Sequence, residues 1–185
     1  PVFKKIILIL LSTFFLTLIL IMKNVAILGA SGFVGHEIIQ ICLRHPHIRI
    51  EALSANRSAG DKVLIQNTNN LQTSLEYKKY EEINLSCIDY VFNCLPNENI
   101  HKNTDLLKSD IRIIDLSVDF RLDDKSEYKN WYGFEHNNTS MINEFQYGLT
   151  EFNRDEIRKS KHIANPGCYA TSILIPLIEL IEKNA

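Results

Sequence analysis

Apolar residues along this chain gather in short unbroken runs that alternate with stretches of helical spacing. Val25-Ala26-Ile27-Leu28 is one such run, and it ends in Gly29-Ala30-Ser31-Gly32-Phe33-Val34-Gly35. Past the glycines, Ile38, Ile39, Ile41, Cys42 and Leu43 recur at helical intervals until His45-Pro46 stops the pattern. Run, glycine turn and periodic stretch predict strand, turn and helix. Ile48 to Ser54 predicts a second strand. Together they make a β-α-β unit of about thirty residues, with a right-handed crossover and parallel strands.

Residues 55–86 are polar and weakly patterned, with a short strand expected near Leu75 to Tyr80. Asp89 to Pro96 then predicts a strand and turn, Glu98 to Lys108 a helix, and Ile111 to Leu116 another buried strand. Asp119 to Tyr147 is rich in aromatics and charges without periodicity and carries the only tryptophan, Trp131; it is expected as a long excursion of the kind that often serves function. Asn153 is expected to cap a short helix through Lys159, His162-Ile163-Ala164 to form a last strand, and Thr171 to Ile181 to be an apolar helix. Strands alternating with helices predict an α/β fold, a Rossmann-like doubly wound parallel sheet.

Ahead of this pattern, Ile6 to Ile21 is almost wholly apolar, with Lys4 and Lys5 before it and Lys23 after. A spanning helix needs roughly 20 apolar residues, and a signal peptide needs a small-residue cleavage site that Leu20-Ile21-Met22-Lys23 lacks. The strand expected at Asn24 to Leu28 follows with no linker. Met22 is therefore read as the initiator and the leader as sequence upstream of the native fold, with membrane association expected only if the leader is genuine.

Composition narrows the function. With 45% hydrophobic and 23% charged residues the chain is of ordinary globular type. Its 20 Lys and Arg against 22 Asp and Glu form no basic block, which argues against a nucleic-acid partner and for a small molecule. The cysteines Cys42, Cys87, Cys94 and Cys168 contain no CxxC pair, and no His or Cys set has zinc-site spacing, so no metal is expected. They read as separate reduced thiols, with Cys42 and Cys94 in the core, which suits the cytoplasm.

A GxxGxxG turn between a first strand and a helix lets backbone amides approach a pyrophosphate. The expected cofactor contacts are Gly29, Ser31, Gly32, Phe33, Val34 and Gly35. About 20 residues on, where a carboxylate would select NAD, the chain has Ser54-Ala55-Asn56-Arg57-Ser58. Arg57, with Ser54 beside it, suits a ribose 2′-phosphate and therefore NADP, while Glu51 is expected inside the strand. Near the other end, Asn165-Pro166-Gly167-Cys168 sets a cysteine at the start of an apolar helix. Helix N-termini favour thiolates, the nucleophilic form of the side chain.

A nicotinamide domain followed by such a cysteine suggests thioester chemistry with hydride transfer. Gly29-Ala-Ser-Gly-Phe-Val-Gly35, Ile114-Asp-Leu-Ser-Val-Asp-Phe-Arg-Leu122, Trp131-Tyr-Gly-Phe-Glu135, Tyr147-Gly-Leu149 and Ala164-Asn-Pro-Gly-Cys-Tyr-Ala-Thr171 together resemble the N-acetyl-gamma-glutamyl-phosphate reductases of arginine biosynthesis. The likeness runs from Lys23 to about Lys183. It implies that Cys168 attacks an acyl phosphate, releases phosphate and forms a thioester that hydride reduces to a semialdehyde. It also implies Asn165 beside the reacting carbonyl, Arg121 on a substrate anion, Leu95 and Pro96 against the cofactor, and a homo-oligomer at full length. Three departures stand out: Asn97-Glu98 where the family has histidine and glycine, Ala170 where it commonly has proline, and an end only 17 residues after Cys168. The family continues into a second α/β domain that supplies a histidine acid/base, and none of the six histidines here follows Cys168. Each of His36, His45, His47, His101, His136 and His162 is expected not to be that base, the first four having surface or turn surroundings.

The organisation expected is a leader at 1–22, an NADP-binding domain at 23–165, and the truncated start of a catalytic domain at 166–185. A chain so limited is expected to bind NADPH without useful turnover. A lysine-pathway reductase acting on a substrate one methylene longer stays open, since a methylene is worth only about 1–3 kcal/mol in a pocket. An aspartate-semialdehyde-type dehydrogenase stands further off, because its cysteine segment differs. A non-catalytic NADP-binding fragment also remains. A short-chain dehydrogenase is excluded, since no tyrosine here has a lysine four residues on.

Overall fold

The computed structural model describes residues 22–63 and 75–183; the apolar leader lies outside the described residues. Seven strands form one sheet in the order β3-β2-β1-β4-β5-β7-β6, and every neighbouring pair is parallel. They are β1 (Lys23–Leu28), β2 (Ile48–Ser54), β3 (Tyr77–Lys78), β4 (Tyr90–Asn93), β5 (Arg112–Asp115), β6 (Phe145–Tyr147) and β7 (His162–Ala164). From β1 the chain steps outward through β2 to β3, then returns to lay β4 on the other side of β1. The strand order thus reverses between β1 and β4, and open parallel sheets bind ligands at such a point, outside the carboxyl ends of the strands.

Both faces of the sheet are covered, which is why β1 reads as a continuous apolar run rather than an alternation. Val25 and Ile27 point to one side and pack with Ile39, Cys42 and Leu43 of α1 (Phe33–Arg44). Ala26 and Leu28 point to the other, with Leu106 and Leu107 of α2 (Thr104–Lys108) and Tyr128 of α3 (Lys125–Tyr132). Two further helices are α4 (Thr150–Lys159) and α5 (Cys168–Glu182). No residue of α5 is buried, and Ile173, Leu177, Leu180 and Ile181 are exposed. Among the described residues no helix is long and apolar enough to cross a membrane.

Several expectations are corrected. Glu98 to Lys108 is not one helix: Glu98 takes a left-handed φ of 67°, a 3-10 turn follows at Ile100–Lys102, and Asn103 then starts α2 by accepting from the Leu106 amide at 3.1 Å. The excursion from Asp119 to Tyr147 is folded. It holds α3, capped by Asp124, a 3-10 helix at Thr139–Glu144 and β6. Its apolar residues follow no regular period and find one another only in three dimensions, Phe120 stacking on Phe145 at 3.9 Å. Asn153 stands at a kink in α4, at φ −107°, where two helical segments join and the second runs on to Lys159; the helix starts earlier than expected, at Thr150, and the Asn153 Nδ2 donates to the Tyr147 carbonyl at 3.0 Å. His101 is not at the surface but buried. Cys94 is half-buried against the core rather than within it.

The strand at His162 carries an acid-labile joint. His162 is buried, stacks on Phe145 at 4.9 Å, and its Nδ1 accepts from the Ile113 amide at 3.3 Å. Burial, helped by the Lys161 charge, pushes this imidazole from 6.5 down to about 4. Above pH 6.5 the ring is neutral in both folded and unfolded chains. Between there and about pH 4 only the unfolded chain takes up the proton, so stability is lost as pH falls, by on the order of 2–3 kcal/mol. Urea midpoints compared at pH 7 and pH 5 should therefore drop for the native chain and drop less for His162→Gln; equal drops would remove this residue from the acid response.

Candidate active site

At the carboxyl edge of β1 the chain turns through Gly29 with φ 72°. A Cβ there would lie 2.6 Å from the Cys94 carbonyl oxygen at the end of β4, so this position tolerates only glycine. Gly35, in the first turn of α1, has the same constraint by a different route, since its Cβ would sit 2.5 Å from the Gly29 carbonyl oxygen. The two glycines hold the start of α1 hard against the strand. The Ala30 amide donates to the Ser54 carbonyl at 2.8 Å, which pins the turn to the end of β2. Ser31, Gly32, Phe33 and Val34 are exposed, and Gly32 caps α1 without a side-chain hydrogen bond. The result is a cradle open to backbone approach, with helix amides facing it.

Ser54 of β2 touches this turn through its carbonyl, the Leu95 amide lies 3.0 Å from a Cβ built on Gly29, Pro96 follows Leu95 in the loop after β4, and Arg57 stands in the turn after β2. Arg57 is exposed and has no ion pair among the described residues. Glu51 is inside β2 and pairs with Arg49 at 3.5 Å.

Cys168 opens α5 at the carboxyl end of β7, on the same edge of the sheet. From β1 to β7 there are three strand spacings, roughly 14–15 Å, a gap that an extended dinucleotide bridges. The cysteine is exposed and lines a cleft of about 420 Å³ with Arg121, Leu122, Tyr132, Tyr147 and Tyr169. Arg121 is held by two carbonyls: Nε donates to Asn165 at 2.8 Å and Nη2 to Leu116 at 2.8 Å. Its remaining nitrogen, Nη1, lies 3.1 Å from where a Cβ on Gly167 would stand, so a fixed positive charge borders the residue before the thiol. Burial raises the Tyr147 phenol above its ordinary range, against the pull of Arg121, and keeps it a proton donor.

Asn165 serves the cleft through its backbone. Its amide donates to the Asp115 carbonyl at 2.8 Å, its carbonyl holds Arg121, and its side chain turns to Pro166. Tyr132, Tyr147 and Tyr169 went without a role in the sequence reading, although each falls in a quoted motif; only the fold brings them to one wall. Among the described residues no histidine, aspartate, glutamate or lysine lines this cleft. His162 is spent on Ile113, while His101 and His136 pack together at 4.8 Å behind the loop. No group of side chains among the described residues is suited to hold a metal. A larger hollow of about 730 Å³, lined by Lys23, Asp89, Tyr90, Asp110 and Arg112, lies at the amino ends of the strands, away from the ligand edge of a parallel sheet.

Of the other thiols, burial pushes Cys42 up to about 11 and Cys94 up to about 12, which leaves both inert. Cys87 is exposed, with its thiol donating to the Asn84 carbonyl at 3.2 Å.

Comparison with known proteins adds to this geometry. The profile of the semialdehyde dehydrogenase NAD-binding domain matches residues 24–160. A protein of Ehrlichia chaffeensis described as N-acetyl-gamma-glutamyl-phosphate reductase is 41% identical over 162 residues, covering 86% of this chain and 46% of that one. A rice protein described as a probable chloroplastic N-acetyl-gamma-glutamyl-phosphate reductase is 40% identical over 166 residues, covering 86% and 39%. The chain thus spans less than half the length of these relatives. Among solved structures, aspartate semialdehyde dehydrogenase II of Vibrio cholerae aligns with a TM-score of 0.63 at 20% identity, over 88% of this chain and 43% of that one. Aspartate semialdehyde dehydrogenase with NADP from Candida albicans aligns at 0.54 and 20%, over 88% and 47%. Similarity at that level shows a shared fold.

Proposed function

Because this chain belongs to the semialdehyde dehydrogenase family through its NAD-binding domain, we propose that it carries the nucleotide-binding and nucleophile-bearing part of an NADP-dependent N-acetyl-gamma-glutamyl-phosphate reductase. The observation that carries this reading is the placement of Cys168 and the Arg121 guanidinium in one cleft, on the strand edge that also holds the Gly29–Gly35 cradle. The relatives described by that name support the substrate assignment, while the aspartate semialdehyde dehydrogenases speak to fold alone.

In this reading residues Gly29, Ser31, Gly32, Phe33, Val34 and Gly35 form the pyrophosphate cradle, Gly32 giving clearance while its own amide donates to the Gly29 carbonyl at 3.1 Å, and Leu95 and Pro96 flank it. Its fit rests on the exposure of residues 31–34 at the start of α1, with Gly29 and Gly35 allowing the close backbone packing that shapes the turn. Arg57 with Ser54 takes the 2′-phosphate. When bound, the reduced nicotinamide supplies hydride to a thioester carbon. The Cys168 thiolate attacks the acyl carbon of the γ-phosphate, the C–O bond to phosphate breaks, and inorganic phosphate leaves with the bonding pair. Arg121 draws the substrate anion toward Cys168, and Asn165 holds Arg121 in place. Among the described residues no histidine, aspartate, glutamate or lysine lines the cleft to act as a general base. Acylation without useful turnover is therefore the expected behaviour of these 185 residues.

We assign residues 23–165 to the nucleotide-binding unit and place Pro166 onward with a second, catalytic unit; the exposed apolar side chains of α5 support that division. The free thiols suit a reducing compartment, read here as the cytoplasm, and the full-length enzyme is read as a homo-oligomer.

Arg57 gives the direct test of cofactor choice. A charge-assisted hydrogen bond is worth about 1.5–3 kcal/mol, so Arg57→Ala should weaken NADPH binding roughly 10- to 100-fold and leave NADH unchanged. Fluorescence titration of both cofactors measures this, and an equal loss for the two would remove Arg57 from the 2′-phosphate.

A further inference from the structure

Between the cofactor cradle and the cysteine cleft runs a buried polar chain that none of the roles above uses. Leu95 donates its amide to Asn93 Oδ1 at 3.4 Å, and Asn93 Nδ2 donates to Asp115 Oδ1 at 2.7 Å. Ser117 Oγ donates to Asp115 Oδ2 at 2.9 Å and accepts from the Asp119 amide at 3.2 Å. The Asp119 carboxylate then reaches back across the site: Oδ1 accepts the Glu98 amide at 2.8 Å, and Oδ2 accepts the His101 amide at 3.2 Å and the His101 ring Nδ1 at 2.9 Å. Both side chains are fully buried.

We propose that Asp119, with His101, is a positioning residue that holds the cofactor-side loop after β4 and the substrate-side Arg121 in a single register. The proposal rests on the cofactor and cleft assignments above. A buried carboxylate survives only when it is well satisfied, and here three N–H donors from one loop satisfy it. Those donors fix Glu98 in its left-handed conformation, where an L-residue is held against an unfavourable backbone, and so set the course of Leu95 and Pro96. On its own strand side Asp119 lies two residues before Arg121, whose amide bonds to the Val118 carbonyl at 3.3 Å. A shift of Asp119 therefore moves both loops.

His101 widens the coupling. Its Nε2 has no hydrogen-bond partner, so Asp119 makes the one hydrogen bond to the ring. That ring also packs on Phe134, stacked at 5.4 Å, and on His136 at 4.8 Å. Phe134 follows closely on Tyr132, which lines the cysteine cleft, so the same ring steadies a second wall of that cleft.

Asp119→Asn keeps the size of the side chain, yet presents an NH2 to either Glu98 or His101, whichever way the amide turns. His101→Phe keeps the aromatic stack and removes the ring donor. The test uses two readouts on the whole chain: NADPH dissociation by fluorescence, and the rates at which iodoacetate and iodoacetamide alkylate Cys168. The anionic reagent reads the position of Arg121, and the neutral one corrects for access. Both variants should weaken NADPH about tenfold and bring the iodoacetate preference down toward that of Arg121→Ala, with urea midpoints showing folded protein. Folded variants that keep native NADPH affinity and native reagent preference would overturn the proposal, since a merely structural pair would change stability alone. If Asp119→Asn fails to fold, His101→Phe decides. Absence of NADPH binding by the native chain would overturn the cofactor reading instead, and the alkylation preference would still judge the positioning role.

Discussion

Gly29→Ala is expected to remove dinucleotide binding and to cost about 2–5 kcal/mol of stability. Two penalties add. Alanine at φ 72° meets the left-handed cost of about 1–2 kcal/mol, and its Cβ is driven against the Cys94 carbonyl at 2.6 Å and 2.8 Å, an overpacking that costs about 1–3 kcal/mol. The clashing atoms are backbone at the end of β4, so no side chain can rotate aside. The strands would have to part where the strand order reverses, which also opens the cradle. Gly133 is the control. It has φ 79° with nothing within 4 Å of a built Cβ, so Gly133→Ala should show the conformational penalty alone and keep NADPH affinity. Urea denaturation and fluorescence titration of both variants separate the two terms. Equal destabilisation would mean that the Cys94 contact is relieved by a small shift, and the closeness of β1 and β4 would then matter less than argued.

The second large effect is at Cys168. Mixed with N-acetyl-gamma-glutamyl phosphate, the chain is expected to release roughly one equivalent of phosphate in a burst and to gain the mass of the acyl group on Cys168. Cys168→Ser should release none, because a serine hydroxyl without an adjacent base is far weaker as a nucleophile. Specificity within the chain comes from burial and placement. Cys42 and Cys94 are held as thiols by burial, and Cys87 is exposed but stands outside the cleft. Peptide mass mapping should therefore find the acyl group on Cys168 only. A burst of the same size from the serine variant, or label on Cys87, would remove Cys168 from the nucleophile's role.

The parallel sheet and the glycine turn were legible in local pattern, whereas the reversal of strand order between β1 and β4 came only with the fold. Continuous apolar runs mark strands covered on both faces, and a glycine turn between strand and helix marks a backbone that must be approached closely. Glu98 to Lys108 misled, because helical composition carries no sign of the left-handed backbone that Asp119 imposes on Glu98 from 21 residues away. The segment from Asp119 to Tyr147 hid its order for a related reason: Phe120, Tyr128, Phe134 and Phe145 are isolated in sequence and meet only as a cluster.

The site divides along the same line. Sequence alone placed Cys168 at the start of a helix and a glycine turn between the first strand and helix, since each depends on a few adjacent residues and the backbone they permit. Tertiary structure decided the rest. It set Arg121 beside Cys168 by tying its guanidinium to the carbonyls of Leu116 and Asn165, gathered three tyrosines into one wall, and buried His101 against Asp119. Those pairings join segments far apart along the chain, and their energies come from burial and mutual satisfaction of polar groups, quantities that exist only once the sheet has brought the loops together.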